Sequence, residues 1–519
     1  MTKIKNMFLI LTGIFFISGL WAQEVEKHLS LEDCILSALE NNLGVAVEIL
    51  NPELTDISVS LAQEKFLPQF SIGYSRQNTN SASFSWIEAT DKVTSDYKDY
   101  SAEFTQAIPT GGSFSVSLYS YKSDTNTKFQ MINPRYGSSL TLNLSQPLLK
   151  NFGFKASRKE IIIAKNNMDI SEIKFKSVLM DTIYNVEKAY WDLVYSIENL
   201  KVKKNSLKLA QDLLVKNKRE VEVGTLAPIE ILSAQAEVAT READILQAET
   251  LVRNNEDSLR TIINLMAEED GVKIIPAEKP AYEEREVGLK ESLVTGMENR
   301  PDLQQIRLDL KNKNIDLSYA KNQLLPDLSL NASYWSPGMS GSQILYENND
   351  PFSGEIIGLV PGGASNALKD AFGFKYKNWY VGVTLSIPFN SIFSRAAYAQ
   401  ARVNLEQSLL NLKNQEQQAF LEIRNAVRAV QSNYKRVYAY KAARELAEKK
   451  LEAEEKKLKV GLTTNYMVLQ YQRDLADAKG NELKAVVDYN LSMAALDKSL
   501  GISLKNNNIK LSDILRKTS

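Results

Sequence analysis

FLPQFSI at residues 66–72 and LLPDLSL at residues 324–330 are the stretches that decide the fold, and they begin 258 residues apart in a chain of 519. In each stretch a proline separates a segment of helical periodicity from one in which apolar and small polar residues alternate. Proline ends helical hydrogen bonding and is tolerated at the first residue of a strand. Each stretch therefore predicts a junction between a helix and a strand.

Other segments match in the same order in the two halves of the chain, which indicates an internal repeat. The matched pairs are ALENN (38–42) with GMENR (296–300), TLNLSQPLL (141–149) with VTLSIPFN (383–390), and VGTLAPIEILSAQAEV (223–238) with VGLTTNYMVLQYQRDL (460–475). The second pair aligns Pro147 with Pro388, and the third aligns Gly224 with Gly461. The predicted unit is a short helix, strands between two prolines, a very long helix, a glycine turn and a second long helix.

The longest helices are predicted where proline and glycine are missing. Residues 154–222 and 395–459 contain neither, and each segment would span about 100 Å as a helix. Segments 228–266 with 301–324, and 465–500 with 43–66, would together match that height, with a break in the last piece at Asn51-Pro52. Lengths of this order are typical of coiled coils or helical arrays.

The helix after the first glycine turn has a heptad seam, which favours left-handed coiled-coil packing. Its seam positions are Ile231, Ala234, Val238, Ile245, Ala248, Val252, Leu259, Ile262 and Met266. Arg241 and Asn255 occupy the two remaining positions, and we interpret them as interruptions of the seam.

Strands are predicted beyond each opening proline because apolar residues alternate there with small uncharged polar ones. The alternating segments are residues 70–75, 139–145, 328–333 and 381–387. This pattern suits a barrel with a lipid-facing exterior and a watery lumen, and a soluble sandwich is the alternative. The polar stretches 77–98, 122–137 and 336–377 are then expected to be outer loops. Residues 100–108 and 113–121 flank the turn signal PTGG, so a protomer would supply either four or six strands.

Neither four nor six strands can close a wide barrel, since even small barrels need about eight. The sequence therefore predicts that the protomer forms an oligomer.

Composition excludes several classes of protein. The formal net charge is −1, which offers no electrostatic footprint for nucleic acid. His28 is the only histidine and Cys34 the only cysteine, so a histidine-based triad, a histidine metal cluster and an intramolecular disulfide are all excluded. We predict no catalytic residue, no cofactor and no metal site, and we expect Cys34 to be a buried helix residue.

The N-terminus predicts an exported protein. Lys3 and Lys5 precede the apolar run at residues 7–20, which is typical of a signal peptide over residues 1–22 with cleavage after Ala22. A membrane anchor is the alternative.

These features together resemble the TolC family of outer-membrane efflux channels over nearly the whole mature chain. The resemblance is carried by the signal peptide, the repeated junction, SQPLL before a long helix, AYWDLV (189–194) and the twin VG[TL] turns. It implies an α+β membrane protein: a homotrimer with a long antiparallel coiled-coil tunnel, and strands contributed to one shared barrel. It also implies an exit duct in the outer membrane of a Gram-negative bacterium, extending into the periplasm, for tripartite efflux or type I secretion. The implied partners are a periplasmic adaptor, an inner-membrane pump, further copies of the chain and outer-membrane lipid, with no nucleic acid.

The resemblance implies that the adaptor contacts the periplasmic tip of the tunnel. On this chain the tip corresponds to Val223, Gly224, Thr225, Leu226, Val460, Gly461, Leu462, Thr463 and Thr464. A polar gate is expected just past each glycine, with Glu230 at the place of a family carboxylate; an acid favourable near a helix N-terminus is the other interpretation of Glu230. In the second turn Thr463, Met467 and Gln470 replace the charged residues of the family pattern, and Asp474 is the next acid.

The predicted segments are the signal peptide (1–22), N-terminal periplasmic helices (23–68), strands of the first repeat (69–148), its helical hairpin (149–270), a linker with periplasmic helices (271–325), strands of the second repeat (326–390), its helical hairpin (391–502) and a C-terminal tail (503–519). Pro68 and Pro326 would mark entry into the barrel, and Pro147 and Pro388 the return. An exported, non-conducting coiled-coil adaptor or structural protein is the alternative function.

Overall fold

The computed structural model describes residues 26–265, 273–352, 355–511 and 514, so the predicted signal peptide and Met266 lie outside the described residues. The chain divides into two compact units. The helical unit comprises the described residues within Met1–Ala46, Val178–Gly296 and Glu422–Ser519. The strand unit comprises those within Val47–Ser177 and Met297–Leu421.

Helices and strands are both abundant, as the α+β prediction requires. The α-helices are α1 (Leu31–Asn41), α2 (Leu43–Glu48), α3 (Leu50–Glu64), α4 (Phe154–Ser157), α5 (Lys159–Glu222), α6 (Ile229–Ile263), α7 (Leu289–Asn299), α8 (Pro301–Asn322), α9 (Ala364–Phe372), α10 (Ile392–Lys459), α11 (Asn465–Leu500) and α12 (Ser503–Asn506). The strands are β1 (Glu26–Leu29), β2 (Gln69–Ala82), β3 (Lys92–Ala107), β4 (Ser113–Thr125), β5 (Ile132–Pro147), β6 (Lys273–Pro276), β7 (Asp327–Tyr346), β8 (Ile356–Val360) and β9 (Asn378–Ser386). Short 3₁₀ turns lie at Trp86–Glu88 and Glu347–Asn349.

The strand unit contains one antiparallel sheet with the order β2-β3-β4-β5-β7, and both β8 and β9 pair with β7. β9 pairs with residues 327–335 of β7, and the short β8 pairs with residues 343–346 near the other end. The hairpin β3–β4 is therefore a central part of the sheet. Of the two alternatives, the structure has six long strands, with β8 as a short seventh.

The strands are longer than the sequence predicts, and the predicted outer loops were wrong in extent. β2 runs to Ala82, β4 to Thr125 and β7 to Tyr346, all inside stretches expected to be loops. In these extensions both faces of the strands carry polar residues, so the alternation that predicts a half-buried strand is lost although the ladder continues. The stretch 336–377 also contains β8 and helix α9.

The helical unit has a core between its long helices. Val427, Val430 and Val437 of α10 pack against Val486 and Tyr489 of α11. Tyr190, from the AYWDLV motif, is fully buried; its hydroxyl donates to the Leu29 carbonyl at 3.3 Å and accepts from the Glu278 N–H at 3.2 Å. That contact joins α5 to a parallel pair of strands, β1 and β6, which the sequence analysis missed.

Several helix boundaries differ from those predicted; the segment predicted as one helix from residue 154, for example, is divided into α4 and α5 at Arg158. The break predicted at Asn51-Pro52 lies at Ile49 instead, because a proline in the first turn of a helix costs no intrahelical hydrogen bond. α6 ends at Ile263, where Asn264 adopts the left-handed conformation (φ 54°) and caps the helix.

Cys34 is completely buried in α1, as expected for a structural thiol, and burial raises its pKa to about 12. Among the helices of the described residues, none combines the length and the apolar character needed to cross a membrane.

Candidate functional site: the helical turns and the sheet surface

The two glycine turns of the helical unit share one backbone geometry. Gly224 and Gly461 follow α5 and α10 with φ of 79° and 74°. The N–H of Thr225 donates to the Glu220 carbonyl at 2.8 Å, and the N–H of Leu462 donates to the Lys457 carbonyl at 3.0 Å. These are Schellman motifs, in which glycine accepts the left-handed conformation that ends a helix and starts a tight turn.

The turns expose apolar side chains to solvent. Val223, Val460 and Leu462 are 73%, 68% and 76% exposed, while Leu226 and Thr463 are half-buried and Thr225 and Thr464 are exposed. Exposed apolar side chains that cluster on a surface often mark an interaction site. Val223 and Val460 occupy equivalent positions before the two glycines, and the second turn adds the exposed Leu462 directly after its glycine.

Beside the turns, four helices share one core. It includes Leu213 of α5, Ala234 of α6, Leu451 of α10, and Val468 and Leu469 of α11. The sequence predicts the small seam residue Ala234, and the structure buries it completely. The two hairpins, one from each half of the chain, are therefore packed together next to their turns.

Arg241 corrects the interpretation of the heptad seam. It does not interrupt the seam; it is 4% exposed within it. Its guanidinium donates to the Ser206 carbonyl of α5 at 2.7 Å, the Leu469 carbonyl of α11 at 3.0 Å and Gln472 Oε1 at 3.3 Å. Its Nε donates to Glu237, which also pairs with Arg473 of α11 at 2.8 Å. Arg241 therefore links three helices across the two hairpins.

The second turn is held by a carboxylate that sequence reasoning missed. Glu454, which is 6% exposed, accepts a short hydrogen bond from the Thr463 hydroxyl. It also forms an ion pair with Lys457, whose Nζ lies 3.0 Å from Glu454 Oε2. The Thr463 hydroxyl, followed by Lys457, lowers the pKa of Glu454. Thr463, one of the predicted tip residues, therefore stabilises its own turn.

Of the predicted gate residues, Glu230 and Met467 lie in the first turns of α6 and α11, and Gln470 and Asp474 lie further along α11. Glu230 is half-buried, and its carbonyl accepts from Nδ2 of the fully buried Asn217 at 3.5 Å. Met467 and Gln470 are half-buried, Asp474 is exposed, and Gln470 donates to Asp474 at 3.1 Å. The only sign of Asn217 and Arg241 in the sequence is a polar residue at a core position of a long helix.

The four junction prolines lie where helices and strands meet. Pro68 and Pro326 directly precede β2 and β7, Pro147 is the last residue of β5, and Pro388 lies between β9 and α10. At the first junction, Nε2 of Gln106 donates to the Phe66 carbonyl at 2.6 Å.

The sheet has two chemically different faces. Directly paired residues on neighbouring strands point to the same side of the sheet, so the register shows which residues share a face. Side by side on the apolar face lie, for example, Ile72, Ala102, Leu118 and Leu140. On the polar face Ser71, Glu103, Ser117 and Thr141 lie side by side. Both end strands are open: every residue of β2 and most of β9 are exposed.

The hairpin β3–β4 is tied into the base of the sheet. Oγ1 of Thr110, in its turn, donates to Gln146 at 2.7 Å, and the Thr110 carbonyl accepts from the Gly153 N–H at 2.9 Å. Gly111 has a φ of 103°, and a Cβ there would lie 2.2 Å from the Asn151 carbonyl oxygen. Only glycine fits this close approach, so the turn is a fixed part of the sheet.

No cluster of metal-binding side chains occurs in the part of the chain that the structure describes. The candidate site is a set of surfaces: two apolar turns in the helical unit, and a two-faced sheet with open edges in the strand unit.

Comparison with known proteins assigns the chain to a family. The model of the outer membrane efflux protein family matches residues 34–265 and 295–502, which is most of the chain. The chain belongs to this family. It is 24% identical over 375 residues to the outer membrane protein TolC of Vibrio cholerae serotype O1, a match covering 70% of this chain and 76% of TolC.

Solved structures of outer-membrane channels share the fold. The outer-membrane channel OprN matches with a TM-score of 0.64 and 16% identity, covering 91% of this chain and 89% of OprN. The CmeC outer membrane channel of Campylobacter jejuni matches with a TM-score of 0.61 and 16% identity over 98% of this chain and 99% of CmeC. At this identity the likeness concerns the fold alone.

Proposed function

We propose that this protein is the outer-membrane exit duct of a tripartite efflux pump or a type I secretion system. It passively conducts substrates from a periplasmic adaptor and an inner-membrane pump to the exterior. The observation that carries the proposal is the sheet with one apolar face, one polar face and two exposed edges. In a closed barrel such a sheet turns its apolar face to lipid and its polar face to a watery lumen.

Three protomers close the barrel by pairing the open edge of β2 with the open edge of β9 of the next copy. The chain runs in opposite directions in β2 and β9, so the new pair is antiparallel like the pairs inside the sheet. An unpaired edge is a row of unsatisfied backbone groups, which hydrocarbon does not tolerate. With six long strands per protomer, the barrel has about 18 strands, a size at which porins leave an aqueous channel.

The helices form the periplasmic part as two copies of one unit. In support, the order of short helix, strands, long helix, Schellman turn and long helix occurs in both halves of the chain. The long helices form an antiparallel coiled-coil tunnel. The adaptor contacts its tip through Val223, Val460 and Leu462, whose exposed apolar side chains need a partner. Glu230, Met467, Gln470 and Asp474 lie next to the tip and line its gate.

A channel role needs no catalytic group, and the family comparison supports a protein that is not an enzyme. The competing function is an exported coiled-coil adaptor that binds partners without conducting. That alternative requires a water-soluble product, because its strands would form a soluble β domain. The apolar face of the sheet favours the channel.

Planar-bilayer recording of the protein purified from outer membranes in detergent tests the proposal. We expect an oligomer of three chains that inserts and gives discrete conductance steps. A matched sample lacking residues 69–147 should give none. A full-length protein that stays soluble and monomeric without detergent, and that leaves the bilayer silent, would support the adaptor instead.

A further inference from the structure

The apolar face of the sheet ends in a row of cations. Arg76 of β2, Lys98 of β3 and Lys122 of β4 are direct partners in the register of neighbouring strands, so they lie side by side on the same face. The row below them holds Tyr74, Tyr100 and Ser120, and below that the face is apolar. The cations are therefore the first charges above the apolar band.

This row is unfavourable without counter-charges, because like charges directly opposite each other repel. Asp96 lies 2.8 Å from Arg76 and 3.9 Å from Lys98, and Asp124 lies 3.4 Å from Lys122. Three cations thus share two carboxylates, which leaves an excess positive charge. Asp96 and Asp124 are themselves direct register partners one step further along the strands, on the side away from the apolar band. The surface between the carboxylates and the apolar band is consequently basic.

The cationic side chains are accessible from outside the sheet. The side chains of Arg76, Lys98 and Lys122 are 57%, 30% and 30% exposed. Each combines an apolar stem with a charged head, so it can cover apolar surface while its head reaches the polar boundary. The Nε of Arg76 donates to Asp96, and the planar guanidinium is suited to bidentate binding of phosphate through its other N–H groups.

On strands β5 and β7, helix α9 covers the residues that lie in the same row as Tyr74, Tyr100 and Ser120. Ser138 and Gly338 continue the row of Tyr74, Tyr100 and Ser120, and both are buried. α9 covers them: a Cβ on Gly338 would lie 2.0 Å from the Ala367 carbonyl, and Ala367 and Ala371 are completely buried. Lys369 and Phe372 of α9 are exposed. A short helix with apolar and cationic residues, lying on the apolar face where its band ends, suits the membrane interface.

We propose that Arg76, Lys98 and Lys122 form a binding site for the phosphate of an anionic membrane lipid. The lipid's acyl chains lie along the apolar face below, its phosphate meets the three cations, and Tyr74 and Tyr100 lie between the two. The inference rests on the proposed function, in which this face turns toward the membrane. Nothing in the channel function itself requires a basic row at this level.

Native mass spectrometry of the detergent-solubilised oligomer titrated with phosphatidylglycerol tests the site. We expect the variant R76S/K98S/K122S to bind about a hundredfold more weakly, since each of the three basic residues near an anionic lipid surface contributes about 1 kcal/mol. A control variant, K441S/K449S/K450S, removes three exposed lysines of α10 and should bind like the wild type. Phosphatidylcholine, which carries no net charge, should show no difference among the three proteins.

A second variant works in the opposite direction. D96N/D124N removes the competing carboxylates, so phosphatidylglycerol should bind more tightly than to the wild type; a purely structural ion-pair network would give an unstable oligomer with no gain in binding. Equal lipid retention by R76S/K98S/K122S and the control variant would overturn the proposal. Conductance of the same preparations in phosphatidylcholine bilayers reports on the channel separately, so the lipid site can fail while the channel function stands.

Discussion

Arg241 is a charged side chain at a position where a heptad pattern calls for an apolar one. Burial lowers the pKa of its guanidinium, and the hydrogen bond with Glu237 acts in the opposite direction. Removing one member of a buried charged network leaves its partners buried without hydrogen bonds, which destabilises the protein. Replacing the whole network with apolar residues can leave the stability unchanged. The backbone carbonyls of Ser206 and Leu469 cannot be replaced, so Arg241 is the member on which the network depends.

We predict that Arg241→Leu destabilises the helical unit by about 3–6 kcal/mol, because hydrogen bonds from a charged donor contribute about 1.5–3 kcal/mol each and two buried carbonyls lose theirs. Thermal unfolding in detergent and limited proteolysis near the glycine turns measure the effect. Arg253→Leu, at an exposed position of the same helix, is the control. Equal melting temperatures for the two variants would contradict a linking role for Arg241.

A pair of half-buried acids lies elsewhere in the helical unit. Burial, followed by the charge of Asp497, raises the pKa of Glu187 on α5 from 4.5 to about 7. Burial also raises the pKa of Asp497, whose carboxyl group accepts from Asn506 at 2.7 Å and lies 3.5 Å from Arg285. Between about pH 4.5 and 7 the folded protein therefore holds a proton on Glu187 that the unfolded chain releases. The free energy of unfolding falls as pH rises through this window, then levels off.

We predict that Glu187→Gln raises the melting temperature at pH 8 and changes it little at pH 5, because the amide removes the cost of charging a buried group. That cost is of the order of 2–3 kcal/mol at pH 8. Thermal melts of the oligomer at both pH values measure it, with Glu160→Gln, an exposed acid on the same helix, as the control. A variant that is less stable than the wild type at pH 8 would show that the carboxylate makes a favourable contact.

At the scale of elements, sequence periodicity predicted the helices and strands whose formation depends on neighbouring residues in the chain. The proline junctions, the long helices and the glycine turns depend on single residues or short patterns, and the structure has helices and strands at those places. The outer half of β7 and the pair β1–β6 could not be predicted, because their strands pair through the backbone without alternation of side chains. Arg241 stood in the sequence as a break in a seam, because its partners on α5 and α11 lie far along the chain. The partners of Glu454, Lys457 and Thr463, are local, but no motif in the sequence indicates the bond to Thr463.

We predict that deletion of residues 100–121 abolishes assembly of the oligomer. The deletion removes the parts of β3 and β4 that cross the apolar band, so β2 loses its partner in the sheet. Blue-native electrophoresis of membrane extracts measures assembly. Replacing residues 84–90, in the connection between β2 and β3, with two glycines is the control and should leave assembly intact. A normal oligomer from the deletion variant would mean that β2 can pair directly with β5 and that the hairpin is dispensable.

At the scale of the whole molecule, the proposed trimer would turn single residues into rings. Glu230 lies in the first turn of α6. In the proposed trimeric tunnel its three carboxylates would form an acidic ring that favours cations. Equivalent rings of Met467 and Gln470 are uncharged, so the acidic ring would stand without an opposing charge in the second repeat. Selectivity for small ions therefore tests the arrangement of the tip.

We predict that Glu230→Gln lowers cation selectivity, seen as a reversal potential closer to zero under a potassium chloride gradient. Glu222→Gln, an exposed acid on the other side of the same turn, is the control. An unchanged reversal potential in Glu230→Gln would leave Glu230 as a favourable charge at a helix N-terminus and no more.

The central claim is that three protomers, each supplying six long strands, close one barrel in the outer membrane. Electron cryomicroscopy of the purified oligomer viewed along its axis tests this most directly. We predict a threefold particle whose barrel wall contains about 18 strands, with β2 of each protomer beside β9 of the next. A monomer, or a closed barrel of about 12 strands with the hairpin β3–β4 outside the wall, would contradict it.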